Sequence, residues 1–508
     1  MGLLNRRRFL KYAGAATVAG AAAVGGATYY LSEKRGLLET VARTSTSASE
    51  TTPTYGPPQI AGLAYTPTRV LNSKIYDIRV DVEIADPAKR LSSVIVTLEP
   101  AAYAQLPSDA FPQEERRTAL LQSSGQAKPT LSAVFSDLKG GREYDLRAGA
   151  ADSSGLVAEK TSRTEYIREF ENIAPLDDTI AIADYYTWYG IPDGSWTDDQ
   201  GRSEHVYTPL LGQYDSADPI VISKHIDWAT GYGIDAFSVS WWGSDYTQTE
   251  KFEDGFLKHP MADQMKFFIL YENNGRLKIQ NPNDSSDKWI EDLDDPFNRN
   301  TLVSDFELLA ENCFARPNYL KINSKPAVRF DYTTCFRGDV ADVFTEIREA
   351  LKRKGFEIYL INDLMGRGAS PYAGISESHF REIAQTFDAI GASGFSDQYD
   401  DIAKDAHFVE SVYHAWRDYA EKYGKGFIPG VCPGHHGSPP WYVPPSYVPW
   451  RRSPERLGRQ IRLAKEYGTL KTLSVISFNE WYLGHQVEPS KEEGFSYLQV
   501  IRDSLAGH

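Results

Sequence analysis

Near the end of the chain a carboxamide, a carboxylate and a large aromatic ring stand side by side, as Asn479, Glu480 and Trp481. They close an apolar, β-branched run that predicts a buried strand whose last residues emerge into a polar site. A carboxylate exchanges protons with hydroxyl or glycosidic oxygens, an amide bonds hydroxyls, and a ring covers a pyranose face. We interpret the triplet as part of a sugar-processing site. The alternative is a strand end whose Asn and Glu are merely solvated.

The segment that carries this triplet belongs to a regular alternation of apolar runs and helical patterns, which predicts an α/β domain. Eight apolar runs cover residues 180–186, 234–241, 265–272, 326–332, 357–363, 388–393, 426–432 and 472–480. Helical patterns cover residues 219–232, 302–314, 340–354, 408–423, 454–467 and 493–505. Eight β/α units indicate a (β/α)8 TIM barrel over residues 172–508. A doubly wound open sheet competes, but no Gly-rich phosphate loop follows the first run.

In such a barrel the active site lies at the carboxyl ends of the strands. The residues at these predicted ends are mostly carboxylates, amides, histidines and aromatic rings, the composition of a glycan cleft. The predicted substrate-binding residues at these ends are Asp184, Tyr186, Trp188, Tyr189, Trp241, Trp242, Asn273, Asp331, Tyr332, His435, His436, Asn479 and Trp481.

Several of these residues also have structural interpretations. Adjacent strand residues face opposite sides, so one ring of Trp241 and Trp242 is expected to pack behind the barrel. Asp331 and Asp363 fit capping or ion-pair roles as well as substrate contact. The stretch from Cys432 to His436 holds metal-ligand residue types but lacks a second well-spaced group, so no metal or other cofactor is expected.

The composition limits the class of protein. A length of 508 residues predicts two or three domains. Acidic residues outnumber basic ones, 69 to 54, which argues against a nucleic-acid partner and favours a neutral glycan or polysaccharide. Three cysteines imply no disulfide framework.

The N-terminal region predicts export. Residues 1–31 place Arg6 and Arg7 before a mild Ala/Gly-rich apolar run, which resembles a twin-arginine signal and predicts an extracellular or cell-surface location. The run is also just long enough to remain as a membrane tether. Residues 32–58 are rich in Ser, Thr and Pro and predict a flexible linker.

Residues 59–165 change to short alternating strands and predict a small all-β sandwich. The stretch GGREYDLRAGAADSSGL resembles the later strands of a fibronectin type III domain, with Tyr144 as its corner tyrosine. Such modules usually space or dock other domains, so no catalysis is assigned here. Carbohydrate binding is the less favoured alternative.

Five stretches of the barrel region resemble glycoside hydrolase family 99. They are DYYTWYG at 184–190, residues 207–243, residues 319–332, FIPGVCPGH at 427–435 and ISFNEWYLGHQVEPS at 476–490. The resemblance implies a (β/α)8 barrel that hydrolyses α-linked, mannose-containing glycans, as the endo-α-mannosidases and endo-α-mannanases of that family do.

The last stretch departs from the family at one position. The family pattern N-E-W-x-E-G carries two glutamates: the first assists attack by the sugar 2-hydroxyl with overall retention, and the second is the acid and base. Glu480 matches the first, but the second position is Leu483. Because leucine cannot donate a proton to the departing oxygen, the family mechanism does not transfer intact.

Three explanations stay open. In the first, another carboxyl has taken the acid role, with Glu272 preferred over Asp331, Asp363 and Glu488. In the second, the substrate has a good leaving group and needs little acid assistance. In the third, catalysis is lost. The predicted catalytic residues are therefore Glu480 and Glu272. Glu488 also matches a family glutamate and is predicted to contact substrate or support the site. The alternative to a hydrolase is a non-catalytic glycan-binding or cell-envelope protein.

Overall fold

The computed structural model describes two folded regions. The described residues are 58–70, 73–123, 125–153, 155, 157–173, 177–190, 196–198, 200–280, 290–331, 333–363, 377–391, 402–436 and 451–506. The predicted signal, nearly all of the predicted linker and the predicted site residue Tyr332 lie outside them. Within these ranges no helix combines the length and the apolar character needed to cross a membrane.

The first region is an all-β sandwich of two antiparallel sheets with three and four strands. Its strands are Gln59–Arg69, Ile75–Ala85, Leu91–Pro100, Arg117–Gln122, Thr130–Lys139, Tyr144–Asp152 and Val157–Arg163. Inward-facing residues of both sheets share one apolar core, as in sheet-on-sheet packing. The first and fourth strands are edge strands whose two faces differ little in burial, so alternation in the sequence predicts only the other five.

Tyr144 begins the sixth strand of the sandwich and is fully buried. Its hydroxyl donates a hydrogen bond of 2.7 Å to the backbone carbonyl of Lys139, five residues upstream. This is the contact that a corner tyrosine makes. Assignment of the sandwich to the fibronectin type III class stays a prediction.

The second region is a closed parallel barrel. Its strands are Ile180–Tyr185, Ala236–Trp241, Lys266–Tyr271, Lys325–Phe330, Tyr359–Asp363, Ala389–Gly391, a seventh in two pieces at Gly426–Ile428 and Gly430–Val431, and Thr472–Val475. The piece before Pro429 pairs with the sixth strand and the piece after it with the eighth, so the sheet closes on itself. A (β/α)8 barrel, as predicted, therefore positions the site.

Helices alternate with these strands and pack on the outside of the barrel. They are Pro219–Gly231, Thr247–Glu250, Asn273–Arg276, Pro296–Leu309, Val340–Arg353, Glu377–Thr386, Ile402–Lys422, Pro454–Tyr467 and Ser496–Ala506. Asp218 and Asp295 each accept a bond from the backbone two residues on and precede a proline, a favoured helix start. Two short strands outside the barrel, Glu291–Asp292 and Phe336–Arg337, pair with each other.

A charged pair lies inside the barrel. Arg329 of the fourth strand forms a salt bridge with Asp184 of the first and donates to Ser474 Oγ of the eighth at 2.8 Å. Burial alone would lower the pKa of Arg329, but the charges of Asp184 and Asp363 raise it, so the guanidinium stays a cation. Asp184, a predicted substrate residue, is thus bonded within the barrel interior.

Replacing Arg329 with methionine is expected to destabilise the fold by about 3–5 kcal/mol, because it leaves buried charge without its partner. Urea unfolding measures the loss. The matched control is Arg299→Met, which removes a partly exposed cation that pairs with Asp342 and Glu346. That change should cost no more than about 1 kcal/mol. Equal losses in the two variants would contradict a buried ion pair in the barrel.

Candidate active site

Four neighbouring barrel strands, the second to the fifth, end at the same height along the barrel axis, and each has a polar or aromatic residue at its end. In the parallel sheet, Tyr271 of the third strand lies beside Trp241 of the second and Phe330 of the fourth. Phe330 lies beside Asn362 of the fifth. The rings of Tyr271 and Phe330 pack outward against Phe306 of a surrounding helix. Because successive strand residues alternate sides, the next residue of each strand faces the barrel axis. These residues are Trp242, Glu272, Asp331 and Asp363.

Glu272 is held in place by the second strand. It is fully buried, and its Oε1 accepts a bond of 2.7 Å from Ser240 Oγ. The same hydroxyl oxygen accepts a bond of 2.8 Å from the indole nitrogen of Trp242. Ser240 therefore couples a carboxyl to a ring, and both predicted site residues have a defined position.

The two adjacent tryptophans lie in different surroundings. Trp241 is part of the main core, with its ring 5.5 Å from that of Tyr271, and we assign it to packing. Trp242 lies over Gly275, where a Cβ atom would be 2.1 Å from the indole, so only glycine fits there. Its ring is 6.2 Å from that of Trp188, which is partly exposed.

Trp188 extends this aromatic surface toward the first strand. Its ring stacks on Tyr186 with 4.3 Å between centroids. Tyr186, Trp188 and Trp242 together form what we call the aromatic wall. Its partly exposed member, Trp188, can cover the apolar face of a sugar ring, and the buried Tyr186 and Trp242 support that ring from behind.

Asn479 locks the loop that follows the eighth strand, which ends at Val475, to the end of the first strand. Its Oδ1 accepts from the Tyr186 amide at 2.8 Å and its Nδ2 donates to the Tyr186 carbonyl at 2.9 Å. The Tyr189 hydroxyl donates to the Asn479 carbonyl at 2.8 Å and accepts from the Trp481 amide at 2.9 Å. This clamp fixes the backbone on both sides of Glu480. Direct substrate contact by Asn479 stays a prediction.

Glu480 is almost completely buried, with 3% of its surface exposed. Its amide donates to Ser477 Oγ at 2.7 Å, and its Oε1 accepts from the Tyr482 amide at 3.0 Å. Burial raises the pKa of Tyr189 well above its usual value, and the charge of Glu480 raises it further, so the two groups are close. The carboxylate is therefore oriented by its own loop.

Leu483 follows three residues after Glu480. Its side chain is partly exposed, and its carbonyl accepts a bond of 2.7 Å from the His436 amide. The loop is thus tied to the end of the seventh strand at the position where the resembling family has its acid. The side chain offers no proton.

The histidines after the seventh strand lie beside this loop. Burial lowers the pKa of His435 to about 4, with a smaller contribution from His436, so His435 is neutral at pH 7. Its ring is nearly parallel to that of His485 at 5.7 Å, and His485 Nδ1 is 3.0 Å from Ser477 Oγ. His485 has no signal in the sequence pattern beyond its position shortly after the N-E-W triplet.

The neighbouring cysteine has a structural contact. The Cys432 thiol donates to the Gly434 carbonyl at 3.2 Å, and burial raises its pKa to about 12. In the part of the chain that the structure describes, no three His, Cys, Asp or Glu side chains are grouped as a metal site.

Glu488 belongs to a buried network. Its Oε2 accepts from the Tyr214 hydroxyl at 2.7 Å and from the Trp481 indole at 2.8 Å. Its Oε1 is 3.0 Å from His225 Nε2, and His225 Nδ1 is 3.0 Å from the Tyr185 hydroxyl. These bonds connect the loop after the eighth strand to the first barrel helix. They favour the supporting role for Glu488 and place Trp481 in the same network.

Glu291 is a buried carboxyl that the strand-end pattern cannot identify, because it lies in a two-residue strand. It is completely buried, and its Oε2 accepts a bond of 2.7 Å from Asn273 Nδ2. Among the described residues, its Oε1 has no hydrogen-bond partner. Burial raises its pKa to about 8, the bond from Asn273 offsets part of this, and the charge of Asp331 adds to it. Glu291 is therefore mostly protonated at pH 7.

Glu291→Gln is expected to make stability less dependent on pH. The folded protein keeps the Glu291 proton up to about pH 8, whereas the unfolded chain loses it near pH 4.5. Wild-type stability thus falls as pH rises between these values, by about 5 kcal/mol at most. In urea unfolding, the free energy of unfolding of the variant, relative to that of wild type, should be higher at pH 8 than at pH 4.5, where the two proteins should differ little. An equal difference at both pH values would contradict the raised pKa.

The fold and the strand-end residues define a (β/α)8 barrel protein with a polar and aromatic candidate active site. Residues 204–501, more than half of the chain, match the family described as "Glycosyltransferase WbsX", and the chain belongs to that family. It is 24% identical over 371 residues to glycoprotein endo-alpha-1,2-mannosidase of Rattus norvegicus, a match that covers 65% of this chain and 72% of the rat protein.

The chain is also similar to solved structures. A glycoside hydrolase-like protein superposes with a TM-score of 0.50 at 17% identity, covering 66% of this chain and 96% of that one. The GH99 endo-alpha-mannosidase of Bacteroides thetaiotaomicron has a TM-score of 0.45 at 19% identity, covering 64% and 95%. The first likeness supports the barrel architecture.

Proposed function

We propose that this protein is an exported glycoside hydrolase that cleaves α-linked, mannose-containing glycans, with Glu480 at the centre of the reaction. The observation that carries the proposal is the placement of Glu480. It is clamped in the loop after the eighth strand of a barrel in which other strand ends carry the aromatic wall and three inward carboxyls. The similarity to a rat endo-α-mannosidase supports the substrate class.

The proposed chemistry divides between two carboxyls. Glu480 takes the proton from the sugar 2-hydroxyl as that oxygen attacks the anomeric carbon and the glycosidic bond breaks, the role that the family 99 resemblance implies. Glu272 supplies the proton to the departing oxygen, since Leu483 cannot. Water then attacks the anomeric carbon, Glu272 accepts a proton from it, and the proton on Glu480 returns to the 2-oxygen. Ser240 fixes the Glu272 carboxyl for this work.

Two other functions have specific support. Leu483, at the family acid position, favours a protein that binds glycans without cleaving them. The description of the matched family favours glycosyl transfer, in which an acceptor hydroxyl replaces water.

One experiment separates the three. The purified protein is incubated with a panel of α-glycans in ¹⁸O-labelled water, with and without an acceptor sugar, and the products are analysed by mass spectrometry. Hydrolysis places ¹⁸O at the new reducing end. Transfer gives longer products without the label. Calorimetric binding without any product would establish the binding function and overturn the hydrolase.

Two further assignments belong to the proposal. We infer export by the twin-arginine route from Arg6 and Arg7, with the protein extracellular or tethered to the cell surface, which cell fractionation tests. We also infer a fibronectin type III class for the sandwich, supported by the bond from Tyr144 to Lys139.

A further inference from the structure

The sandwich is joined to the barrel by more than its connecting segment. Leu106, Ala110 and Phe111, between the third and fourth sandwich strands, are buried in the same continuous apolar core as the barrel. We propose that residues 101–116 are a positioning element for the candidate active site, which buttresses the loops after the first and eighth barrel strands. This goes beyond the proposed function, because the sandwich then acts as part of the site rather than as a spacer.

The connecting segment is fixed on the barrel by one carboxylate. Asp227 of the first barrel helix is completely buried and accepts from the amides of Glu169 and Phe170 at 2.6 and 3.1 Å. It also accepts from the Tyr166 hydroxyl at 2.9 Å and from Arg168 Nε at 3.2 Å. Four donors on one buried carboxylate hold this segment in a single conformation.

The same segment is bonded to the sandwich. The Arg168 carbonyl accepts from the Tyr76 hydroxyl at 2.7 Å and from Arg69 Nη2 at 3.1 Å. Gly140 approaches so closely that a Cβ atom would lie 2.3 Å from this carbonyl oxygen. The segment therefore has partners on both domains and is not a free hinge.

A buried cation closes the interface. Lys224 of the first barrel helix is 1% exposed, and its Nζ lies 4.8 Å from the Phe111 ring centroid and 5.5 Å from that of Trp228. Burial lowers the pKa of Lys224 to about 8, partly offset by the charges of Glu169 and Asp227. Water is excluded here, unlike in the polar interfaces of domains that move independently.

Beyond this point the positioning element reaches the site loops. Pro107 packs on Gly212, where an added Cβ would be 3.2 Å from the proline ring. Asp109 forms a salt bridge of 3.3 Å with Lys491. Gly212 follows the first barrel strand and Lys491 follows the eighth, so the element touches both loops at once.

The two loops are paired with each other. The Leu210 amide donates to the Pro489 carbonyl at 2.9 Å. Next to these contacts the Tyr214 hydroxyl bonds Glu488, which also accepts from the Trp481 indole. Trp481 is adjacent to Glu480. A continuous series of contacts thus runs from the sandwich to the candidate catalytic carboxylate.

Hydrogen exchange of the full chain tests the proposal without requiring activity. Phe111→Ala should speed amide exchange in residues 476–491 by about tenfold or more, because the loops lose their support. The control Leu120→Ala changes a sandwich residue that is 59% exposed and should leave exchange there unchanged. Unchanged exchange in residues 476–491 of Phe111→Ala would overturn the proposal. If that variant does not fold, Pro107→Ala is measured instead, because it removes the proline ring atoms that contact Gly212. Faster exchange in residues 476–491 would again support the proposal, and unchanged exchange would overturn it.

A kinetic arm of the experiment rests on the proposed function. On a cleaved glycan, Phe111→Ala should lower kcat more than it raises KM, since the element holds the site and does not touch the sugar. If the wild-type protein cleaves no glycan, the hydrolase proposal is wrong. The positioning role of residues 101–116 is then decided by hydrogen exchange alone. Faster exchange with an unchanged kcat would contradict a positioning role.

Discussion

Glu480→Gln is expected to lower kcat/KM on an α-linked glycan by roughly 10²–10⁴-fold, the contribution of one proton-transfer group. Glutamine has nearly the same shape, and its amide oxygen can still accept the bond that Tyr482 donates to Glu480. It cannot accept a proton from a sugar hydroxyl. The loss should therefore appear in the rate and not in the fold, and steady-state kinetics with thermal unfolding measure both.

The control for this experiment is Glu421→Gln, on an exposed helix surface where the carboxylate pairs with Arg417. It should keep the wild-type rate. A Glu480→Gln variant that also keeps the wild-type rate would show that Glu480 does not take part in the reaction.

In a Glu272→Gln background, Leu483→Glu is expected to raise kcat/KM by roughly 10²–10⁴-fold on natural glycans, because their leaving groups need a proton that residue 272 no longer supplies. The backbone at this position is held by the His436 amide, and the side chain is partly exposed. A carboxyl there would have access to solvent and to the cleft three residues from Glu480. On aryl glycosides with good leaving groups the gain should be small, because little acid assistance is needed.

Leu483→Gln separates proton donation from polarity, since it has a similar size and no acidic proton. Only the glutamate variant should gain activity. If both variants gain equally, the effect comes from polarity, and a carboxyl at position 483 does not donate the proton. If Glu272→Gln abolishes the wild-type activity, Glu272 supplies the proton in the natural protein.

The barrel was predictable because its strands are apolar runs and its helices are periodic with clear starts. The main difference is at the eighth strand, which ends at Val475, so Asn479, Glu480 and Trp481 lie on a loop. An apolar run marks burial rather than pairing, and Ile476 and Phe478 are buried without belonging to the strand. The run alone could not place this boundary.

Contacts between distant segments could not be read from the pattern. The clamp of Asn479 on Tyr186 and the pairing of Asp184 with Arg329 both join residues more than a hundred positions apart. Residue type and strand-end position predicted a polar site. They could not show which polar atoms already have protein partners. Glu291 illustrates the converse, since its raised pKa comes from burial by the fold and not from its neighbours in sequence.

The role of the sandwich is the other point that depends on three-dimensional structure. Its resemblance to a fibronectin type III domain implies a spacer or docking module. Pro107 and Phe111 contact the barrel, and from these contacts we infer a positioning role. Segments between strands carry little periodicity, so such a role has no sequence signal.

The central claim is that Glu480 drives cleavage of an α-linked glycan. Its most direct test is a time course by proton NMR with one α-mannan oligosaccharide, in which wild type and Glu480→Gln are compared under the same conditions. We expect new anomeric signals of released sugar with wild type and none with the variant over the same time. Equal rates in the two proteins, or binding by wild type with unchanged anomeric signals, would contradict it.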